Sequence, residues 1–167
     1  MNLQKFTQKS IEAIQNSQSL MSEYGNQQME EEHVLLSLLT QNSGIVPELI
    51  KNCGGNPKEI EKTLKNEIDS FPKVSGSVEA DKIYLSRELD LALNDSENIA
   101  KSMKDEFVSV EHILLSFIKR PSKKLKSIFD NSGITYDKIL TALKDMRGNQ
   151  HVTNNSPEDT YDVLKKY

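Results

Sequence analysis

The chain has 167 residues, of which 36% are hydrophobic and 28% are charged, and this composition suits one compact water-soluble domain or two small fused domains. The formal net charge is −4 and no segment is strongly basic, which argues against nucleic acid as a partner. No apolar run approaches the roughly 18 residues of a membrane-spanning helix, the N-terminus lacks the apolar stretch of a secretory signal, and a single cysteine fits a reducing compartment. We therefore expect a cytoplasmic location without membrane contact.

An internal repeat is the strongest pattern in the sequence. Residues 32–39 (EHVLLSLL) recur 79 positions later as residues 111–118 (EHILLSFI). The same offset aligns Ala13 with Ala92 and other pairs over more than 50 residues, without a gap. Registration of that length excludes chance, so the chain contains two similar halves.

The first half is predicted to form four helices. Small and apolar residues at spacings of three and four, from Phe6 to Tyr24, mark one face of the first helix. The Glu-His stretch forms the second helix, and the third ends near Asn52, before Gly54 supplies a left-handed residue. Residues 56–59 (NPKE) combine an Asn N-cap with Pro at the first helical position, and they start the fourth helix.

The second half repeats these signals. Ser109 precedes its Glu-His helix, Ser122 opens its third helix and Gly133 closes that helix, while Thr135 and Gly148 bound the fourth. Neither half shows the period-two alternation of strands. We therefore predict an all-α fold of two tandem four-helix repeats with pseudo-twofold symmetry. One half alone should be unstable, because its apolar faces would remain exposed to water.

The repeats also set the predicted domain boundaries. Repeat one covers about residues 3–69 and repeat two about residues 83–147, within a single domain of residues 1–147. Residues 70–82 contain Pro, Gly and Ser and are predicted to connect the repeats. Residues 148–167 begin with a polar stretch and are predicted to be a flexible linker.

Motifs of common enzyme sites do not occur in the sequence. There is no phosphate-binding Gly-rich loop, no nucleophile elbow and no His-Glu-x-x-His, and one Cys with three His makes no zinc cluster. The pairs Glu32-His33 and Glu111-His112 suggest a metal or acid–base site, but adjacent helical side chains point about 100° apart. We expect each Glu to stabilise the first helical turn and each His to anchor it by a hydrogen bond. A non-catalytic domain without cofactor or metal is the favoured interpretation.

Three motifs resemble a known family. The opening residues 3–10 (LQKFTQKS), the doubled Glu-His-(Val/Ile)-Leu-Leu and residues 71–77 (FPKVSGS) resemble the Clp N-terminal repeat domain. Residues 71–77 and the ending, residues 158–167 (EDTYDVLKKY), resemble in particular the ClpB branch of that family. The chain departs from the family at Glu31 and Val110, where a Pro or a small residue is common.

The resemblance implies the substrate-binding and regulatory N-terminal domain of a stress-response disaggregase. The full protein would be a hexameric AAA+ ATPase that threads polypeptides together with the DnaK system, with ATP and Mg²⁺ in ATPase modules outside this chain. The chain itself would be a non-catalytic monomer that binds unfolded or aggregated polypeptides. The main alternative is the adaptor-binding N-terminal domain of a protease-partnered ClpC or ClpA unfoldase, and a helical metalloenzyme is a further one.

The resemblance also assigns candidate substrate-binding residues. By motif, they are Thr7 in the first helix, and Asp105 and Glu111 beside the second Glu-His helix. A shallow apolar groove in the same region would use five further residues, Leu93, Ile99, Met103, Phe107 and Val108. Core packing is the alternative role for each of these five, and helix capping is the alternative role for Thr7. If binding is asymmetric, it should lie where the two repeats differ.

Overall fold

A computed structural model describes residues 3–74, 84–148, 150–155 and 157 of the chain. The part so described contains eight α-helices, a short 3-10 turn at Leu3–Lys5 and two very short strands. The helices are α1 (Gln8–Tyr24), α2 (Glu31–Thr40), α3 (Val46–Asn52), α4 (Pro57–Asp69), α5 (Arg87–Ser102), α6 (Val110–Lys119), α7 (Lys123–Ser132) and α8 (Tyr136–Arg147). The strands are β1 (Gln28–Met29) and β2 (Tyr84–Leu85).

The predicted all-α fold of two four-helix repeats is confirmed. Helices α1, α2 and α4 begin 79 residues before α5, α6 and α8, respectively. Within each repeat the first helix packs against the second, and the repeats meet where α2 contacts α6 and where α3 contacts α8. The equivalent pair with the repeats interchanged is α7 and α4, where the Lys124 ammonium lies 3.7 Å from the Glu67 carboxylate.

Local sequence signals account for most helix ends. The Asn56 side chain accepts the N–H groups of Lys58 and Glu59, and Pro57 is the first residue of α4, as predicted. In the second repeat, Gly133 ends α7 in the left-handed conformation, with φ of 68°. Phe6 is an exception, because it precedes α1 instead of belonging to that helix.

Helices α2 and α6 form the centre of the molecule. Every residue from 31 to 39 and from 110 to 117 is buried, including the two His and the charged residues of the first turns. A helix that is buried on all sides needs neighbours all round it. Both repeats supply those neighbours, because α6 contacts α1 and α3 of the first repeat as well as α5, α7 and α8 of its own.

Each repeat pairs the segment before its first helix with a turn of the other repeat. Strands β1 and β2 are parallel, with Met29 opposite Leu85, and the equivalent bridge joins Val108 to Phe6. The Ser86 N–H donates to the Met29 carbonyl at 2.9 Å, and the Thr7 N–H donates to the Val108 carbonyl at the same distance. Pairings this short leave no alternation of polarity in the sequence, and pattern analysis therefore did not predict them.

The segment after α8 packs on the domain, whereas the sequence predicted a free linker there. Residues 150–155, the exit strap, form neither helix nor strand, and the Val152 side chain is fully buried. The Val152 N–H donates to the Asp105 carboxylate at 2.9 Å, and the Gln8 N–H donates to the Asn155 carbonyl at 2.9 Å. The predicted flexible linker therefore does not begin at residue 148. Residues 75–82 of the predicted connector and residues 158–167 of the predicted linker lie outside the described residues.

Candidate functional site

Three segments meet where the predicted polar site residues lie. We call this place the junction, and it consists of residues 5–8, residues 105–109 and the exit strap. Thr7 is the N-cap of α1, where its Oγ1 accepts the Ser10 N–H at 3.2 Å. The Ser10 hydroxyl then donates to the Val108 carbonyl at 3.0 Å. Thr7 is fully buried. Helix capping, which was the predicted alternative to substrate binding, is therefore the role that Thr7 has in this structure.

Asp105 is the most connected residue of the junction. Its Oδ2 accepts from His112 Nε2 at 2.7 Å and from Arg147 Nη1 at 2.9 Å, while Oδ1 accepts the Val152 N–H. Burial opposes ionisation of Asp105, but the hydrogen bonds from His112, Val152 and Arg147 outweigh it and lower the pKa to about 2. Asp105 is therefore an ionised carboxylate inside the protein.

Glu111 and Arg147 complete a buried charged cluster with Asp105 and His112. Arg147 donates from Nε and Nη2 to Glu111 Oε2, at 3.2 and 3.0 Å. Glu111 Oε1 is buried and accepts no hydrogen bond from any of the described residues. A guanidinium that serves two carboxylates offsets much of the cost of removing them from water. The carboxylates predicted to touch a substrate thus face inward, toward Arg147.

The His of each repeat anchors its helix, as predicted. The Ser109 N–H donates to His112 Nδ1 at 2.9 Å, and the Glu30 N–H donates to His33 Nδ1 at the same distance. Both Nε2 atoms therefore carry the ring proton, and His33 donates it to Asn26 Oδ1. Burial lowers the pKa of His33 to about 4. The Glu-His pairs are structural elements of the fold.

Three of the five residues predicted to form an apolar groove belong to the core. Leu93, Ile99 and Val108 are 1%, 4% and 2% exposed, so their side chains offer no surface to a partner. Apolar spacing along a helix identifies a buried face but does not tell a groove from a core, and the prediction failed for that reason. Met103 and Phe107 are half-buried and pack against the core edge.

A cavity of about 430 Å³ adjoins the junction and includes one of the predicted groove residues, Met103. Apolar atoms make up most of its lining, with Lys144 at its edge. The remaining lining residues come from α8, its C-terminal end and the exit strap: Leu140, Leu143, Arg147, Gly148, Gln150 and His151. This volume is sufficient for one or two large side chains of a bound polypeptide.

Sequence reasoning missed α8 and the exit strap as parts of the site. A signal was nevertheless present in the sequence, because the 79-residue offset aligns Arg147 with Ile68 and Asp105 with Asn26. A new Asp and a new Arg in one repeat indicate a buried charge pair. Nothing comparable in the local sequence marks Val152, since its burial depends on contacts with residues far away in the chain.

Neither a metal site nor a membrane span occurs in the described ranges. Within residues 3–74, 84–148, 150–155 and 157, no three His, Cys, Asp or Glu side chains are grouped so that they could hold a metal ion. No helix in those ranges combines the length and the apolar character that are needed to cross a membrane.

Comparison with known proteins assigns the family. The family model of the Clp repeat (R) N-terminal domain matches residues 5–132. The ClpB chaperones of Nitratidesulfovibrio vulgaris and Clostridium tetani are both 36% identical, over 169 and 168 residues, and the matches cover 100% of this chain but only 20% and 19% of those proteins. The chain thus spans about a fifth of the length of these relatives.

Solved structures share the fold. The Hsp104 N-terminal domain from Candida albicans matches with a TM-score of 0.77 at 24% identity, over 92% of this chain and 99% of that one. A ClpV N-domain in complex with a VipB peptide matches with a TM-score of 0.67 at 21% identity, over 85% and 86% of the two chains. On the family match, the chain belongs to the Clp repeat N-terminal domain family.

Proposed function

We propose that the chain is the polypeptide-binding N-terminal domain of a ClpB-type disaggregase. It captures unfolded or aggregated polypeptides and presents them to a hexameric ATPase ring formed by the rest of the protein. Similarity to ClpB chaperones over the whole chain supports this proposal, and so does the ClpV N-domain that was solved with a peptide. The reported curated relatives favour this function over the adaptor-binding role of ClpC or ClpA.

The observation that carries the proposal is the cavity beside the junction. Its apolar lining by Met103, Leu140 and Leu143 suits apolar side chains that a folded client would bury and an unfolded client exposes. Next to it, the junction already binds one polypeptide segment, the exit strap, through backbone groups and a carboxylate. These are features of a site that recognises polypeptides by their shape and exposed apolar groups.

The remaining parts of the proposal concern the full-length protein. ATP and Mg²⁺ bind in ATPase modules outside this chain, which cooperate with the DnaK system in the cytoplasm. The chain itself is non-catalytic, a monomer in isolation and free of cofactors. The use of both Glu-His pairs as helix anchors supports this view, because it leaves them no catalytic role.

Titration of the domain with a disordered polypeptide tests the proposal. Fluorescein-labelled β-casein, followed by anisotropy, is expected to bind with a dissociation constant on the order of micromolar or weaker. Leu140→Asp places a charge in the cavity lining and is expected to weaken binding about tenfold, the value of one lost apolar contact.

A matched control uses Leu91, which is 45% exposed on α5 and does not line the cavity. Leu91→Asp adds the same charge and should bind casein like the wild type. Variants of Thr7 and Asp105 are poor tests, because both side chains are buried and hold the fold together. Absence of saturable binding, or equal affinities of Leu140→Asp and the wild type, would contradict the proposed function.

A further inference from the structure

The exit strap is bound to the domain through its backbone, in the manner of a short bound peptide. Both backbone polar groups of Val152 are used: its N–H donates to Asp105 Oδ1 at 2.9 Å, and its carbonyl accepts the Glu106 N–H at 2.7 Å. The Asn155 carbonyl accepts the Gln8 N–H at 2.9 Å. Val152 inserts its side chain into the core, whereas its neighbours on both sides are exposed.

The groups that hold the strap do not depend on its sequence. A carboxylate that accepts a backbone N–H and a backbone N–H that donates to a carbonyl serve any residue other than proline. One buried slot, now filled by Val152, selects for an apolar side chain of moderate size. These are the requirements of a site for extended segments of many different polypeptides.

The strap also forms part of the cavity that the proposed function uses. Gln150 and His151 contribute to the lining, and His151 Nδ1 lies 3.1 Å from the Met103 carbonyl oxygen. A client segment whose apolar side chain enters the cavity would therefore contact the strap at Gln150 and His151. The client segment and the strap cannot both occupy the slot of Val152, and they cannot both form the hydrogen bonds to Asp105 and Glu106.

Most side chains of the strap are exposed to solvent. Among residues 150–155, only Val152 is buried, and ordering six residues costs conformational entropy at each of them. Segments with one buried side chain and exposed neighbours belong to the part of a protein that opens most easily. Displacement of the strap therefore does not require the helices to unfold.

We propose that the exit strap is a displaceable occupant of the polypeptide-binding site, so that an extended apolar segment of a client replaces Val152 and takes over its bonds to Asp105 and Glu106. This inference rests on the proposed function. It gives Asp105 a role as the acceptor that either the strap or the client engages. It also couples client binding to release of the segment that leads away from α8.

The test uses the whole chain of 167 residues with one substitution in the strap. Val152→Asp cannot keep its charge in the apolar slot, and the strap should detach. Hydrogen exchange of residues 150–155, measured without any ligand, then approaches that of an unstructured peptide. Labelled β-casein is expected to bind this variant about tenfold tighter, if the strap is closed in about nine of ten wild-type molecules.

Thr153→Asp is the matched control, because it adds the same charge one position later on an exposed side chain. It should retain wild-type exchange and wild-type affinity for casein. A synthetic peptide of residues 148–157, added in excess to Val152→Asp, should compete with casein. Circular dichroism verifies the fold, and Val152→Ala, a milder change that should raise the affinity less, replaces Val152→Asp if that variant unfolds.

Three results overturn the inference. If the strap is released and casein binds no tighter than to the wild type, the strap does not occupy the client site, although the proposed function stands. Failure of the excess peptide to compete has the same meaning. If casein binds neither the wild type nor the released variant, the proposed function fails as well, and the exchange data still report the state of the strap.

Discussion

Asp105 and Arg147 form a charge pair that the first repeat does not have. The equivalent positions are Asn26 and Ile68, which are buried and neutral. In the first repeat, His33 donates to the amide of Asn26 where His112 donates to a carboxylate. The two differences occur together because a buried carboxylate is tolerated only with a counter-charge. The second repeat thereby acquires a buried, ionised acceptor in the turn before α6.

Replacing Arg147 by Met should destabilise the domain strongly. Two buried carboxylates, Asp105 and Glu111, lose their common donor, and an uncompensated buried charge costs about 3–5 kcal/mol. Urea denaturation at about pH 7 measures this loss. The wild type keeps the contribution of Asp105 above its ordinary pKa of 3.8 and loses it only as the pH falls toward about 2. The loss in the variant should shrink at about pH 4, because Asp105 without Arg147 takes up a proton at a higher pH than it does in the wild type.

The control for Arg147→Met is Lys144→Met, on the same helix and at the edge of the same cavity. Lys144 is exposed, and its replacement should change the free energy of unfolding by less than about 0.5 kcal/mol. Similar small losses in both variants would show that the charged cluster contributes little to stability. A loss in Arg147→Met that does not depend on pH would exclude unpaired carboxylates as its cause.

The resemblance identified Thr7, Asp105 and Glu111, and the structure brings them to one region. It did not reveal that all three are buried. Burial is decided by contacts between distant segments, such as the bond from Val152 to Asp105, which sequence spacing cannot predict. Whether these three residues affect substrate binding stays a prediction, and the geometry indicates that they would act through the junction.

At the scale of elements, the first turn of α2 contacts the N-cap residue of α7. Glu31 Oε1 accepts the Ser122 N–H at 2.7 Å, and Glu32 Oε1 accepts from the Ser122 hydroxyl at 3.0 Å. Burial raises the pKa of Glu31 to about 8 and that of Glu32 to about 7, although the bonds from Ser122 oppose the shift. Glu31 Oε2 is buried without a hydrogen-bond partner among the described residues. This contact joins the two repeats through carboxyls that are partly protonated near neutral pH.

Glu31→Gln should make the domain more stable at mildly alkaline pH. The pKa of Glu31 is raised on folding, so its contribution is complete below about pH 4.5 and is lost as the pH rises through about 8. Gln keeps an oxygen for the Ser122 N–H and never ionises. The difference in the free energy of unfolding, variant minus wild type, should therefore increase by on the order of 2 kcal/mol between about pH 5 and about pH 8.

Glu59 provides the control, because it also lies in a first helical turn, in α4, but is exposed. The stability of Glu59→Gln should follow the wild type across the same pH range. Denaturation curves of the three proteins at each pH give the differences directly, and effects of other titrating groups cancel. Parallel curves for Glu31→Gln and the wild type would mean that Glu31 is ionised in the folded protein without cost.

Helix ends were predictable where the signal is local, and the exit strap was not. Asn56, Gly133 and Thr135 determine a helix start or end through their own conformation or side chain, so their roles follow from the sequence alone. The strap is polar, and only Val152 distinguishes it from a linker. Its position depends on an acceptor 47 residues earlier in the chain, which no local pattern encodes.

At the scale of the whole molecule, the segment that follows each repeat packs back on that same repeat. The connector after α4 returns to the first repeat, where Pro72 accepts from the Asn26 amide, and β2 then pairs with β1. The exit strap after α8 follows the same course on the second repeat and reaches Gln8 at the start of α1. Asn155 of the strap thus lies beside the start of α1. Displacing the strap would therefore free the segment after α8 close to the proposed polypeptide-binding site.

The central position of α2 and α6 predicts that a single repeat does not fold. In a fragment of residues 1–79, the side of α2 that contacts α6 would be exposed, together with the side of α3 that contacts α6 and α8. Circular dichroism and sedimentation should show an unfolded or self-associated fragment, whereas the complete chain should be a folded monomer under the same conditions. A monomeric fragment that unfolds cooperatively would mean that each repeat has its own core. The buried bonds between Ser122 and the start of α2 would then join two independent units, and cutting the connector would leave both of them folded.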